Sequence, residues 1–160
     1  MSNTFTFTNY KSFSEDIIGA GKFYISSITG LDDDDVRLSK RQNLSTRRLR
    51  GFEKNKIGPI DGNDHIGGNY AASMNFEANL PNLLPDSSKA EIGTFLDIGN
   101  VWGVDYDKSI DETNTLRSSA GLSLGWNSPV GPMSFIFSKN LKKADTDKTE
   151  SFTFNLGTTF

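Results

Sequence analysis

The sequence lacks cysteine and has a single histidine, His65, among its 160 residues. The absence of cysteine excludes a disulfide framework and thiol-ligated metal sites, and one histidine leaves few ligands for a transition metal. The net charge of -3 provides no general footprint for binding nucleic acid. The sequence shows no Ser-His-Asp set and no phosphate-binding loop. We therefore expect no catalytic residues, no cofactor, no metal site and no nucleic-acid partner.

Long apolar runs are also missing. No stretch approaches the roughly 18 continuous apolar residues of a membrane-spanning helix. The first ten residues do not have a basic region followed by an apolar core, so they do not form a signal peptide. The mean hydropathy of -0.45 is typical of a soluble protein. It does not exclude membrane-spanning strands, because only every second residue of such a strand faces lipid.

The apolar residues that are present alternate with small or polar ones. This period of two predicts β-strands, and it is clean in four segments and weaker in three others. The clean segments are Tyr70–Leu80, Ala90–Trp102, Ser119–Asn127 and Ser151–Phe160; the weaker ones are Asn3–Phe13, Ile17–Ile28 and Ser134–Leu141. The pattern predicts about seven strands. An outer-membrane barrel shows it with the apolar face outward, and a soluble sandwich with the apolar face inward.

The lengths of the connections separate these two folds. Going along the chain, they alternate between short and long. The short ones lie near Ser14–Asp16, Pro81–Ser88 and Ser128–Pro132, and the long ones are Thr29–Gly68, Gly103–Asn114 and Lys142–Glu150. Short turns at one end and long loops at the other are typical of outer-membrane barrels. We therefore predict an all-β, antiparallel transmembrane β-barrel. Seven strands would leave an unpaired edge in lipid, so we expect further strands before residue 1.

Several motifs, in order, resemble one family. They are Leu49-Arg50-Gly51-Phe52, Gly67-Gly68-Asn69, Asn75-Phe76-Glu77, Phe95–Trp102, Gly125–Pro132 and Phe152–Phe160. This ordered set resembles the BamA-type outer-membrane assembly barrels, the bacterial surface antigen family, over roughly residues 45 to 160. Leu49 replaces the usual valine before Arg-Gly-Phe. The resemblance implies a sixteen-stranded barrel, of which residues 1–160 form about the last seven strands.

The resemblance also implies a role for the motif Arg50-Gly51-Phe52. Residues 29–68 would form an extracellular loop that folds back into the barrel lumen, where Arg50 bonds acidic residues. The alternation independently assigns Glu77 and Asp97 to the interior, and a planar guanidinium can bridge two carboxylates. Gly51 would let the backbone turn, and Phe52 would pack against the wall.

The implied function is non-enzymatic assembly and insertion of β-barrel proteins into the outer membrane. The final strand would provide a lateral seam and a C-terminal sorting signal through Phe152, Phe154, Leu156, Gly157 and Phe160. The implied partners are outer-membrane lipid, unfolded barrel clients, and periplasmic lipoproteins recruited by N-terminal POTRA domains that lie outside this sequence. Three alternatives stay open: a related TamA-type or two-partner secretion transporter, a passive porin-like channel, and a soluble β-sandwich binding module.

Overall fold

The computed structural model describes residues 1–31, 34–81, 83–107, 109–110 and 114–157. Seven strands form one antiparallel sheet in the order β1-β2-β5-β6-β7-β8-β9, and a small hairpin of β3 and β4 lies apart from it. The long strands are β1 (Ser2–Ser12), β2 (Ile18–Ile28), β5 (Tyr70–Asn79), β6 (Ala90–Trp102), β7 (Arg117–Ser128) and β8 (Gly131–Lys142); the short ones are β3 (Ile60–Asp61), β4 (Asp64–His65) and β9 (Phe152–Leu156). The predicted all-β, antiparallel fold is confirmed.

The strand boundaries differ from the predicted ones at a few ends. β7 begins two residues earlier than predicted, at Arg117, and β8 begins three residues earlier, at Gly131. β9 ends at Leu156, and the predicted strand end at Phe160 lies outside the described residues. The helical elements among the described residues are two short 3-10 turns, Leu38–Lys40 and Asp86–Ser88. Neither they nor any other described segment is a helix long and apolar enough to cross a membrane.

The two faces of the sheet have opposite character. One face exposes large apolar side chains such as Phe7, Phe76 and Leu122, of which Leu122 is 51% exposed. The other face, which we call the inner face, buries polar side chains such as Asp97 and Ser119. A soluble sandwich would bury the apolar face and expose the polar one. The apolar outer face therefore requires a nonpolar surrounding, as in a membrane-embedded barrel wall.

The connections are sorted by length between the two ends of the sheet. At one end β7 and β8 are joined by Pro129 and Val130 alone, and residues 13–17 join β1 to β2. At the other end lie the long loops 29–69, 103–116 and 143–151. The longest loop covers part of the inner face. Its packing against the sheet creates the apolar core, which consists of Leu44, Leu49, Phe52, Ile57, Ala71 and Val101.

The opposite character of the two faces predicts the effect of a new charge on β7. Leu122→Lys places an ammonium on the outer face near the middle of the strand, where a lipid-facing lysine costs about 2–4 kcal/mol. Ser123→Lys places the same charge on the inner face beside a cavity. In urea unfolding from lipid vesicles, Leu122→Lys should lower stability by that amount and Ser123→Lys by much less. Equal losses would contradict the assignment of the faces.

Candidate functional site

The candidate site is built around Arg50, which the long loop places on the inner face of the sheet. Its guanidinium meets both oxygens of Asp97, with Nε donating to Oδ2 at 2.7 Å and Nη2 to Oδ1 at 2.6 Å. The backbone amide of Arg50 also donates to Asp97 Oδ2, at 3.0 Å. The Asp97 side chain is 0% exposed. This fork geometry is the strong, directional form of an ion pair, and it fixes the position of the loop as well as its charge.

A second carboxylate and a second cation complete the cluster. Arg50 Nη2 lies 2.8 Å from Glu77 Oε1, and Lys22 Nζ lies 2.5 Å from Glu77 Oε2. The four groups carry two positive and two negative charges, so the cluster is neutral as a whole. Burial by itself disfavours the charge on Arg50, but the hydrogen bonds and charge of Asp97 outweigh it and raise the pKa of this guanidinium above its ordinary value. Arg50 therefore stays charged within the cluster.

The cluster lies on a row of polar residues that crosses five strands. Each member stands directly opposite the next in the strand register, so all of them point to the same face. From β2 to β8 the row is Lys22, Asn75, Asp97, Ser119 and Asn140. Of these residues, Asp97 was predicted as a partner of Arg50 and the others were not. The alternation marked Asn75 and Ser119 as inward-facing, whereas Lys22 and Asn140 lie in segments of weak alternation, and only the register shows that the five residues are neighbours.

Three residues outside the initial prediction hold the loop in place. Asn75 Nδ2 donates to Asp97 Oδ1 and to the carbonyl of Arg48, both at 2.8 Å. Ser119 Oγ donates to the carbonyl of Arg50 at 2.5 Å. The ring of Phe95 lies beneath the guanidinium, 3.9 Å from Arg50 Cζ. A cation over a ring face is attracted by its quadrupole, so Phe95 is a further partner of Arg50.

Gly51 and Phe52 extend the contact to β8 and to the last loop. Gly51 has a φ of 87°, and its carbonyl accepts hydrogen bonds from Asn140 Nδ2 at 2.8 Å and from the amide of Glu150 at 3.1 Å. Phe52 is buried and forms an antiparallel bridge with Thr149. The motif therefore lies between the sheet and the loop of residues 143–151.

Two more ion pairs tie the long loops to one another and to the sheet. Arg117, at the start of β7, pairs with Asp147 of the last loop at 2.8 Å, and both side chains are 0% exposed. Arg41 of the long loop pairs with Asp105 of the neighbouring loop at 2.7 Å. Burial opposes the charge on Asp105, but the amide of Val36 and the Arg41 guanidinium keep its pKa below the ordinary value. Sequence alternation provides no signal for pairs between loops.

The predicted seam residues lie at the far edge of the sheet, away from Arg50. Phe152, Phe154 and Leu156 are exposed on the outer face, and Phe154 and Phe152 contact Phe135 and Phe137 with ring centroids 5.1 Å apart. Gly157 has a φ of 110°, and a Cβ added there would meet no described atom within 4 Å. Its backbone angle, and not crowding, is what favours glycine at this position. Phe160 lies outside the described residues.

A comparison with protein families shows which family the chain belongs to. The family described as the Omp85 superfamily domain matches residues 1–160. The chain belongs to the Omp85 superfamily. It is therefore an outer-membrane β-barrel segment, in agreement with the apolar outer face and the sorted loops.

Three relatives of this Omp85 chain each carry the name outer membrane protein assembly factor BamA. The one from Neisseria meningitidis serogroup B is 33% identical, over 70% of this chain and 17% of its own length. The one from Neorickettsia risticii is 30% identical, over 90% of this chain and 19% of its own length. The one from Nitratidesulfovibrio vulgaris is 30% identical, over 70% of this chain and 14% of its own length. The chain thus spans less than a fifth of the length of these relatives.

A solved structure shows the same fold. BamA from Haemophilus ducreyi lacking POTRA domains 1-3 superimposes with a TM-score of 0.82 at 25% identity, over 96% of this chain and 34% of that one. The resemblance to the BamA-type family that the ordered motifs indicated is confirmed. The roles of the individual site residues stay predictions.

Removing the Arg50 side chain is expected to destabilise this Omp85 chain strongly. Arg50→Ala leaves the buried Asp97 carboxylate without its partner, and breaking a buried pair in this way costs about 3–5 kcal/mol. Arg50→Lys should lose less stability, since lysine keeps the positive charge but cannot form the two parallel hydrogen bonds to Asp97. Thermal unfolding of the barrel in detergent measures both. Arg47→Ala is the matched control, because Arg47 is an exposed arginine of the same loop and forms no ion pair among the described residues. An equal effect of Arg47→Ala and Arg50→Ala would contradict the assignment.

Gly51→Ala is expected to release the loop from the sheet. An alanine at position 51 must adopt a positive φ, which is unfavourable for it, and its Cβ would lie 3.2 Å from Ser138 Cβ. Gly62→Ala is the control, since Gly62 has a φ of 61° but open space around it, so only the backbone penalty of about 1–2 kcal/mol applies. Limited trypsin digestion of the folded protein should cut near Arg47 and Arg48 faster in Gly51→Ala. Identical digestion of the two variants would show that the contact is unimportant.

Proposed function

We propose that this chain forms the C-terminal part of a barrel that assembles and inserts β-barrel proteins into the outer membrane, without covalent chemistry. The observation that carries the proposal is the short last strand. β9 has five residues, whereas the neighbouring β8 has twelve. The name shared by the relatives of known sequence, outer membrane protein assembly factor, supports the same function.

Strand pairing is the proposed chemistry of the site. An edge strand presents backbone amides and carbonyls that a client strand can join, and these groups do not depend on the client's sequence. A short ladder separates at a lower cost than a long one, because fewer hydrogen bonds must break at once. A five-residue strand at the seam would therefore open sideways and accept the edge of an unfolded barrel client.

The Arg50 cluster would keep the rest of the wall intact while the seam opens. It connects the loop to β2, β5 and β6 through charged groups, and to β7 and β8 through Ser119 and Asn140. These five strands are consecutive in the sheet and lie on the side of β9 that stays paired when the seam opens. The cluster is thus a positioning device: it stiffens five strands so that movement is confined to β9.

The seam residues Phe152, Phe154 and Leu156 would face lipid and pack on β8, and Gly157 would let the end of β9 turn inward. With Phe160 they would also form the C-terminal signal by which this chain is itself assembled. Periplasmic lipoproteins would bind parts of the protein outside these 160 residues.

The occupied inner face argues against a passive channel. A porin keeps a water-filled lumen, whereas here the long loop contacts the inner face from β2 to β8, covers part of it and leaves a cavity of about 630 Å³ beside it. We therefore expect little steady ion current through the closed protein in planar bilayers. A large, constant conductance would favour the channel function instead.

Trapping of a client strand tests the proposal directly. The chain contains no cysteine, so Thr153→Cys introduces a single thiol on β9 into this segment. In cells depleted of their own assembly factor, the protein in its full genetic length would be expressed with a stalled barrel client that carries one cysteine in its terminal strand. A disulfide-linked adduct should appear on non-reducing gels. Ser134→Cys, on β8 between two paired strands, should form none.

Two results would contradict this function. One is normal insertion of clients with no adduct at Thr153→Cys. The other is an adduct at Ser134→Cys of equal yield, which would show random collision and not pairing at the seam. A failure to support any client, together with export of one soluble partner, would favour a two-partner secretion transporter.

A further inference from the structure

The loop end of the outer face carries an exposed basic patch on β8. Lys139 stands opposite Ala120, and Lys142 opposite Ser118. Ala120 and Ser118 share the parity of Leu122, which is on the outer face. Lys139 and Lys142 have opposite parity along β8, but a register shift between Ser118 and Ser119 brings Lys142 opposite Ser118, so we assign both lysines to the apolar side of the wall. Both are exposed, and neither forms an ion pair with a carboxylate of the described residues. The lysines therefore face the membrane without an ion pair among the described residues.

The carboxylates near the patch are Asp145, Asp147 and Glu150, and none of them forms an ion pair with Lys139 or Lys142. Asp147 is buried in its pair with Arg117. Glu150 shares the parity of the outward-facing Phe152 and so lies on the same face as Lys139; its carboxylate accepts a hydrogen bond from the hydroxyl of Thr153 at 3.3 Å. A lysine on the lipid side of a barrel is unfavourable in hydrocarbon, so Lys139 must reach the headgroup level. There, its natural counter-charge is a phosphate.

An apolar groove lies beside the patch, two strands away. It has a volume of about 340 Å³ and is lined by Phe23, Ala72, Met74, Ile98, Trp102 and Leu116. Small Ala72 leaves the space between larger neighbours. Ile98 stands opposite Ser118, which stands opposite Lys142, so groove and patch are separated by roughly 10 Å at the usual spacing of strands. Trp102, stacked on Tyr70 at 5.7 Å, marks the interfacial level at the same end of the sheet.

We propose that the groove and the patch together form a binding site for a phosphorylated membrane lipid in the leaflet that borders the long loops. The acyl chains would lie in the groove between β2 and β6, and the phosphate would bind Lys139 and Lys142. Such a site requires the outer-membrane location of the chain and not its insertion activity. A lipid held here would order the wall next to β9 on its outer side.

Local quenching of Trp102 tests this site. The full-length protein is placed in nanodiscs of phosphatidylcholine that contain a small fraction of phosphatidylglycerol brominated near the headgroup, or of brominated phosphatidylcholine instead. The difference between the protein and its Trp102→Phe variant isolates the signal of Trp102. Brominated phosphatidylglycerol should quench it more strongly than brominated phosphatidylcholine at the same mole fraction.

Variants of the two lysines test whether the patch causes the preference for phosphatidylglycerol. Lys139→Gln with Lys142→Gln should lower the preference for phosphatidylglycerol by about five-fold for each lysine. Unchanged quenching by brominated phosphatidylcholine in this variant shows that the barrel is still folded and embedded. Lys11→Gln with Lys89→Gln removes the same charge at the short-turn end and should keep the preference.

Three outcomes would overturn the proposal. They are equal quenching by the two brominated lipids in the unmodified protein, a preference that persists without Lys139 and Lys142, and loss of the preference on addition of inorganic phosphate. The last outcome would show a site for the free anion and not for a lipid. Loss of client insertion in any variant, with the lipid preference retained, would bear on the proposed function alone.

Discussion

The buried pair of Arg50 and Asp97 is the interaction on which the rest of the structure depends. A carboxylate that is 0% exposed is tolerated only when its charge is matched and its oxygens are hydrogen-bonded, and here both oxygens are occupied by the fork of the guanidinium and by Asn75. The pair holds the long loop, residues 29–69, against the inner face. With the loop in this position, Leu49 and Phe52 pack in an apolar core that the sheet alone does not form.

The strands of the sheet are held in place to different extents. Strands β2 to β8 are joined on the inner side by a row of polar residues and covered by the loop, whereas β9 is attached by five residue pairs. The β8–β9 ladder is therefore the shortest in the seven-stranded sheet. Uneven local stability is how a barrel can open at one place without losing its fold.

Most of the fold could be predicted from the sequence. Alternation located the seven strands, because the period of side chains in a strand is two wherever one face meets lipid and the other does not. The strand ends were predicted less exactly: β7 begins at Arg117, two residues before the predicted start at Ser119. The hairpin of β3 and β4 had no signal, since two-residue strands have no period to detect.

The candidate site was only partly predictable, and for a physical reason. Parity identified Asp97 and Glu77 as inward-facing, and the motif identified Arg50, because both are local properties of the chain. Which inward residues meet across strands depends on register, and which loops meet depends on packing at long range. So only the tertiary structure could join Asn75, Asp97 and Ser119 into one row or pair Arg117 with Asp147. The sequence by itself determined the strands, their faces and the family, whereas the structure decided which charges lie together.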